Sequence, residues 1–217
     1  MLPPIHDYDR LYREFRWAIP ARYNIGVDVC DRWAQRDPRR TAIIHIRGDG
    51  QTDTISFLAL MRMSNQLANA LRAHGIGRGD RVAILLPQMP EAVIAHIAVY
   101  KLGAVALPLA LLFGTEALAY RLQNSGAKAV ITNGFGLQKI ADLDALPADL
   151  QLVICTDGDA DGATGLESLL EKASDSFTAA DTSADDPAMM IYTSGTTGPP
   201  KGALHAHRVL LGHMPGF

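Results

Sequence analysis

Tyr192-Thr193-Ser194-Gly195-Thr196-Thr197-Gly198-Pro199-Pro200-Lys201-Gly202 follows directly on the apolar run Ala188-Met189-Met190-Ile191. The stretch combines three glycines, four Ser/Thr hydroxyls and one lysine. That composition suits a loop wrapped around a polyphosphate. Glycines let the backbone approach an anion and take up positive φ. Successive N–H groups then form a concave nest for phosphate oxygens. Thr193, Ser194, Thr196 and Thr197 add hydroxyl donors, with Gly195 and Gly198 permitting the approach. Lys201 supplies a compact positive charge for β- and γ-phosphates.

Upstream of the loop, strand and helix patterns alternate. Arg81 to Leu86, Ala104 to Leu107, Ala127 to Thr132, Gln151 to Cys155 and Ala188 to Thr193 read as strands. Between them, Pro90 to Lys101, Thr115 to Asn124 and Leu137 to Leu143 read as helices, with Thr115 as an N-cap and a further short helix near Gly165 to Ala173. Such alternation predicts an α/β fold with a mainly parallel sheet and helices on both faces. Ligands in such sheets sit beyond the C-terminal strand ends, which is where Thr193 places the loop. Before the alternation, Val27 to Arg36 has the spacing of a short amphipathic helix. Thr41 to Ile46 and Asp53 to Ser56 read as strands joined at Gly48-Asp49-Gly50, and a helix from Phe57 ends at the glycines 75, 77 and 79. Residues 1–24 read as an irregular aromatic arm, giving an arm over 1–26 and one domain portion over 27–217.

Composition narrows the function. A 217-residue chain with 48% hydrophobic and 20% charged residues can bury a sizeable core. A net charge of −3 and the lack of a basic cluster argue against nucleic acid; Arg36, Arg39 and Arg40 read as a solvated helix end. The longest uncharged stretch, Leu102 to Thr115, is too short to cross a bilayer and contains Pro108. Cys30 and Cys155 stand far apart and read as small buried side chains in a reducing, cytoplasmic compartment. The acidic segment through Asp175, Asp181, Asp185 and Asp186 reads as a solvated linker, Met189 and Met190 as core strand residues, and Lys101 as the complement of a helix dipole. His205-x-His207 has no third ligand nearby, so a structural or pocket-wall role is expected; which residues hold a metal is left open.

The P-loop of kinases and ATPases, G-x-x-x-x-G-K-[ST], fails mechanically. Counted from Gly195, it needs glycine at 200 and a hydroxyl at 202, where the chain has Pro200 and Gly202. The segment instead resembles the signature T-S-G-[ST]-T-G-x-P-K-G of AMP-forming adenylating enzymes, the superfamily of acyl-CoA synthetases, luciferases and peptide-synthetase adenylation domains. Thr193 to Gly202 fits every constant position, and Pro199 falls on the variable one. Ile55-Ser56-Phe57, Gly79-Asp80-Arg81-Val82-Ala83, Tyr100-Lys101-Leu102-Gly103-Ala104-Val105, Tyr120-Arg121-Leu122 and Ser125-Gly126-Ala127-Lys128 extend the resemblance over about residues 25 to 212, most similar to acetyl- and medium-chain acyl-CoA synthetases.

The resemblance implies the N-terminal part of an adenylate-forming large domain. It implies a carboxylic acid, ATP and CoA as small-molecule partners, with Mg2+ sharing the phosphate charge. The acid becomes an acyl-adenylate with loss of pyrophosphate, and CoA thiol then displaces AMP. Thr193, Ser194, Gly195, Thr196, Thr197, Gly198 and Lys201 are the expected nucleotide contacts. The family's adenine segment, ribose aspartate, hinge and catalytic lysine lie further along and have no counterpart in 203–217, so no catalytic residue is assigned. The expectation is a piece of an acyl-CoA synthetase that does not adenylate alone. Two other readings stand beside it: an adenylating enzyme with an acceptor other than CoA, and a non-catalytic nucleotide-binding or interaction remnant.

Overall fold

Apolar strands flanked by helices on both faces account for the architecture of a computed structural model that describes residues 6–194 and 198–214. The expectations for Gly195, Thr196 and Thr197 lie outside the described residues. Strands β1 (Thr41–Ile46) and β2 (Thr52–Ser56) form an antiparallel pair. Helix α3 (Phe57–Ala73) follows at once, because the Ser56 hydroxyl accepts the Ala59 N–H at 3.2 Å and caps its first turn. Then come β3 (Arg81–Leu85), α4 (Pro90–Leu102), β4 (Val105–Pro108), α5 (Thr115–Ser125), β5 (Ala127–Thr132), α6 (Gly134–Ala141) and β6 (Leu152–Cys155). The two-residue β7 (Thr164–Gly165), α7 (Leu166–Lys172), β8 (Pro187–Thr193), β9 (Lys201–Ala206) and α8 (Val209–His213) complete the order.

Among the described residues seven strands form one sheet in the order β7-β6-β5-β3-β4-β8-β9. All its pairings are parallel except the last, where β9 returns antiparallel along β8. Alternate side chains feed two cores. Val82, Ile84, Ala106 and Ile131 meet α3, α4 and α7 on one face. Ala83, Leu85, Leu107 and Val130 meet Leu118, Leu122 and Ile140 of α5 and α6 on the other. Burial on both faces is why these strands read as continuous apolar runs. Helices α4 and α5 end where Gly103 and Gly126 turn left-handed, at φ 72° and 60°.

Several boundaries differ from the sequence reading. The arm contains a helix, α1 (Tyr8–Glu14), capped by Asp7, whose carboxylate accepts the Arg10 N–H at 2.6 Å. Its Tyr8 and Tyr12 are exposed and stack on each other. From Arg22 on, the chain is bonded into the domain: Tyr23 N–H donates to the Thr182 carbonyl at 3.0 Å and Asn24 to the Tyr100 carbonyl at 2.7 Å. The expected helix at 27–36 is a π-helical turn over Val27–Asp31 running into α2 (Arg32–Arg36). Thr115 is the first residue of α5 rather than its cap, a place taken by Gly114. Helix α6 starts three residues earlier than its apolar pattern, because the Asn133 side chain accepts the Gly136 N–H at 3.0 Å.

Lys101 departs most from expectation. It does lie in the last turn of α4, where a cation complements the dipole, but it is completely buried. Its Nζ lies 2.5 Å from Asp31 Oδ1, 2.8 Å from Asn65 Oδ1 and 2.9 Å from Ser64 Oγ. The last turn of α4, Val99 to Leu102, is buried, so Lys101 has no water to reach, and the π-helical turn brings Asp31 to the ammonium instead. Gly26 makes this approach possible: a Cβ there would stand 2.9 Å from Lys101 Cγ and 2.8 Å from the Ile97 carbonyl. Lys101→Met strands Asp31 without its cation and is expected to lower stability by about 3–5 kcal/mol, read from urea unfolding at pH 7. The double variant Lys101→Met/Asp31→Leu removes both charges and is expected to lose less.

Candidate phosphate-binding site

Thr193 ends β8 and Lys201 opens β9, and the two residues are direct cross-strand partners. Their side chains therefore share one face of the hairpin, with Cβ atoms about 5 Å apart. Both are exposed, as is Ser194 just beyond the strand. Gly198 has φ 80°, a conformation that L side chains rarely adopt, so its glycine is required by the backbone. Gly202 answers a different need. It pairs with Tyr192, and a Cβ on it would stand 2.8 Å from Met190 Sδ. The structure thus brings Thr193, Ser194, Gly198 and Lys201 to one end of the β8–β9 hairpin.

That end lies where α/β sheets receive ligands. Strand β8 runs parallel to β4, with Ala106 beside Met189, so Thr193 sits beyond the carboxyl ends of the parallel strands. Met190 and Tyr192 pack on the α5 side of the sheet, while Met189 packs on the α3/α4 side. Strand alternation puts Thr193 on the face of Met189. On that face a cleft of about 610 Å³ opens where β3 and β4 end, lined by Ile84, Leu86, Gln88, His96, Tyr100 and Leu109 among others. The Tyr100 hydroxyl links the cleft to β8, donating to Met189 Sδ at 3.6 Å, and lies 3.1 Å from His96 Nδ1.

Burial dominates the electrostatics of this neighbourhood. It pushes the His96 imidazole down to about 4 and the Tyr100 hydroxyl up to about 12. His207 is also held down to about 4, first by burial, with Asp186 raising it and Arg78 lowering it. Its Nδ1 accepts the Ile25 N–H at 3.2 Å, so this histidine ties the N-terminal segment to the end of β9. Among the described residues no three His, Cys, Asp or Glu side chains converge to hold a metal ion. His205-x-His207 is split accordingly, with His207 fully buried and His205 only half-buried.

Sequence reasoning missed the residues that fasten the loop. The Tyr120 hydroxyl donates to the Pro200 carbonyl at 3.1 Å, and the Tyr192 hydroxyl donates to Asn124 Oδ1 at 2.6 Å. Tyr120 and Asn124 stand four apart on α5, a spacing that places them on one helix face. That spacing was readable, but its target, 80 residues away from Tyr120, was not.

A family described as AMP-binding enzyme matches residues 30–215. A mitochondrial acyl-coenzyme A synthetase of Mus musculus is 33% identical over 208 residues, covering 93% of this chain and 36% of that protein. An acetyl-coenzyme A synthetase of Bacillus subtilis is 31% identical over 220 residues, covering 95% of this chain and 38% of that protein. A crystal structure of a Brucella canis acyl-CoA synthetase superimposes with a TM-score of 0.85 at 28% identity, over 97% of this chain and 40% of that one. The chain therefore spans well under half the length of the relatives it matches. Among the described residues no helix is long and apolar enough to cross a membrane.

Two outcomes follow from the geometry. Gly198→Ala forces an alanine into the left-handed region and is expected to cost about 1–2 kcal/mol, read from urea midpoints. His96 stays neutral in the fold while the unfolded chain protonates near 6.5, so its share of stability is complete above about 6.5. It is lost as pH falls from there toward 4, with a slope of at most about 1.4 kcal/mol per pH unit. His96→Phe is expected to flatten that part of the curve in urea titrations between pH 7 and 4.

Proposed function

The chain belongs to the AMP-binding enzyme family, and from that premise we propose that it is the N-terminal part of an ATP-dependent acyl-CoA synthetase acting on a small or medium-length carboxylic acid. The observation that carries this reading is the Thr193–Lys201 pair at the carboxyl end of a parallel sheet, bracketing a loop of glycines and hydroxyls.

The chemistry assigned to the site is departure of pyrophosphate. A carboxylate oxygen attacks the α-phosphorus of ATP, the bond from that phosphorus to the bridging oxygen breaks, and its electron pair leaves on pyrophosphate. The acyl-adenylate that remains is a mixed anhydride open to a thiolate, which releases AMP and gives the acyl-CoA. Negative charge grows on the leaving group, so donors already in place lower the barrier. In this reading Lys201 meets the β- and γ-phosphates, and the hydroxyls of Thr193, Ser194, Thr196 and Thr197 donate to the same oxygens. Gly195 and Gly198 let the backbone approach. Magnesium supplies counter-charge to the phosphate when bound. The chain's own contribution, among the described residues, is ammonium and hydroxyl groups rather than a carboxylate cage. The cytoplasmic placement rests on Cys30 and Cys155, both free and buried, which suit a reducing compartment.

The test is calorimetric titration of the chain with ATP and with magnesium pyrophosphate. Lys201→Ala is expected to weaken binding by about 1–3 kcal/mol, the scale of one lost charged hydrogen bond. Equal affinities in the two proteins would remove Lys201 from the site.

A further inference from the structure

We propose that α5 is the positioning element of the phosphate loop, with Tyr120 as its principal clamp and Arg121 and Asn124 holding the opposite stem; this rests on the reading of that loop as a polyphosphate grip. The need for a clamp is written in Pro199-Pro200. Neither residue has an N–H, so neither can donate to a strand ladder. The β8–β9 pairing ends at Thr193 and Lys201, and the leg of the loop that returns to Lys201 enters it through those two prolines. The Pro200 carbonyl lies beyond the last ladder pair, and the Tyr120 hydroxyl supplies it with a donor at 3.1 Å.

The outgoing leg is held from the same helix. Tyr192 immediately precedes Thr193, and its hydroxyl donates to Asn124 at 2.6 Å. The Tyr120 and Tyr192 rings meet edge to face with centroids 6.3 Å apart, so the two legs are coupled through aromatic contact as well. Beneath them Arg121, only 8% exposed, lies with its guanidinium 4.1 Å from the Phe113 ring centroid and 5.6 Å from that of Tyr192. Its Nη1 donates to the Ala117 carbonyl at 2.7 Å, which anchors the cation within α5 itself. One helix thus fastens both ends of the loop from the face opposite Thr193 and Lys201. Those side chains stay free to meet an anion while the backbone that carries them is kept in place. Tyr120 touches no phosphate in this arrangement; it acts through Pro200.

Tyr120→Phe tests this, since the ring and its contact with Tyr192 remain and only the hydroxyl goes. Two readouts separate a positioning role from a merely structural one. In the unliganded chain, backbone 15N order parameters at Gly198 and Lys201 are expected to fall in Tyr120→Phe and not in the control Tyr8→Phe. In titrations with magnesium pyrophosphate, the dissociation constant of Tyr120→Phe is expected to rise between about twofold and tenfold, the effect of one hydrogen bond. Unchanged order parameters overturn the proposal, as does a looser loop that binds pyrophosphate as tightly as before. If the unsubstituted chain binds no pyrophosphate, the reading of the site falls, and the order parameters alone decide whether α5 clamps the loop.

Discussion

The buried ammonium of Lys101 is the contact on which the placement of the other elements depends. It is reached by Asp31 from the π-helical turn, by Ser64 and Asn65 from α3, and it belongs to α4. Those segments cover one face of the sheet at β3 and β4, and α4 forms a wall of the cleft beside β8. A charge buried this deeply is tolerated only with its partners in place. The same group that costs most to bury therefore dictates how the N-terminal segment, α3 and α4 meet.

The connection from α7 to β8 shows a second use of polar contacts. Residues 174–186 contain no helix or strand, and their acidic side chains suggest a linker surrounded by water. The structure makes them a strap. Asn65 and Asn69 donate to the carbonyls of Asp175, Ser174 and Ser176 at 2.7–2.9 Å, and the Ala180 N–H donates to the Lys101 carbonyl at 2.8 Å. Asp175 pairs with Arg62, Asp181 with Arg22, Asp185 with Arg208 and Asp186 with Arg78. Exposed ion pairs contribute little one by one. The backbone bonds carry more, since they satisfy groups that no ladder serves. Together they deliver β8 to its place beside β4, and with it the loop that follows Thr193.

Much of this was legible in the sequence. Five of the six strands between Arg81 and Thr193, and the helices between them, emerge from periodicity because burial in the sheet leaves an apolar signature; the two-residue β7 is too short to leave one. The loop's signature was readable because its residues are contiguous. Helix starts were less so: Asn133 and Gly114 set them through cap geometry, which hydrophobic pattern does not encode. The clearest failures are partnerships across long separations. Nothing local to Lys101 announces Asp31, 70 residues earlier in the numbering. Tyr120 likewise gives no sign that its acceptor is Pro200. The strand β9 escaped notice because among the described residues it pairs on one side and its residues are mostly exposed, so its apolar signal is weak.

On the proposed reading of the 193–201 loop as a polyphosphate grip, the return of the chain into a strand, rather than a helix, explains why it has the residues it has. Where a strand leads through a glycine-rich loop into a helix, the helix N-terminus supplies free N–H groups and a partial positive charge for the anion. Here Lys201 opens β9, and the loop is the tip of a hairpin. A hairpin has no macrodipole to offer, so positive charge and donors must come from side chains and from the loop backbone itself. That requirement accounts for hydroxyls on four loop positions and a lysine at the exit. It also accounts for the two departures from the helix-linked pattern. Pro200 is compatible with a turn entering a strand but would interrupt a helix interior. Gly202 sits opposite Tyr192, where any larger residue would meet Met190. A side chain at that position would have to displace the Met190 thioether, whereas the loop's hydroxyls lie before the prolines.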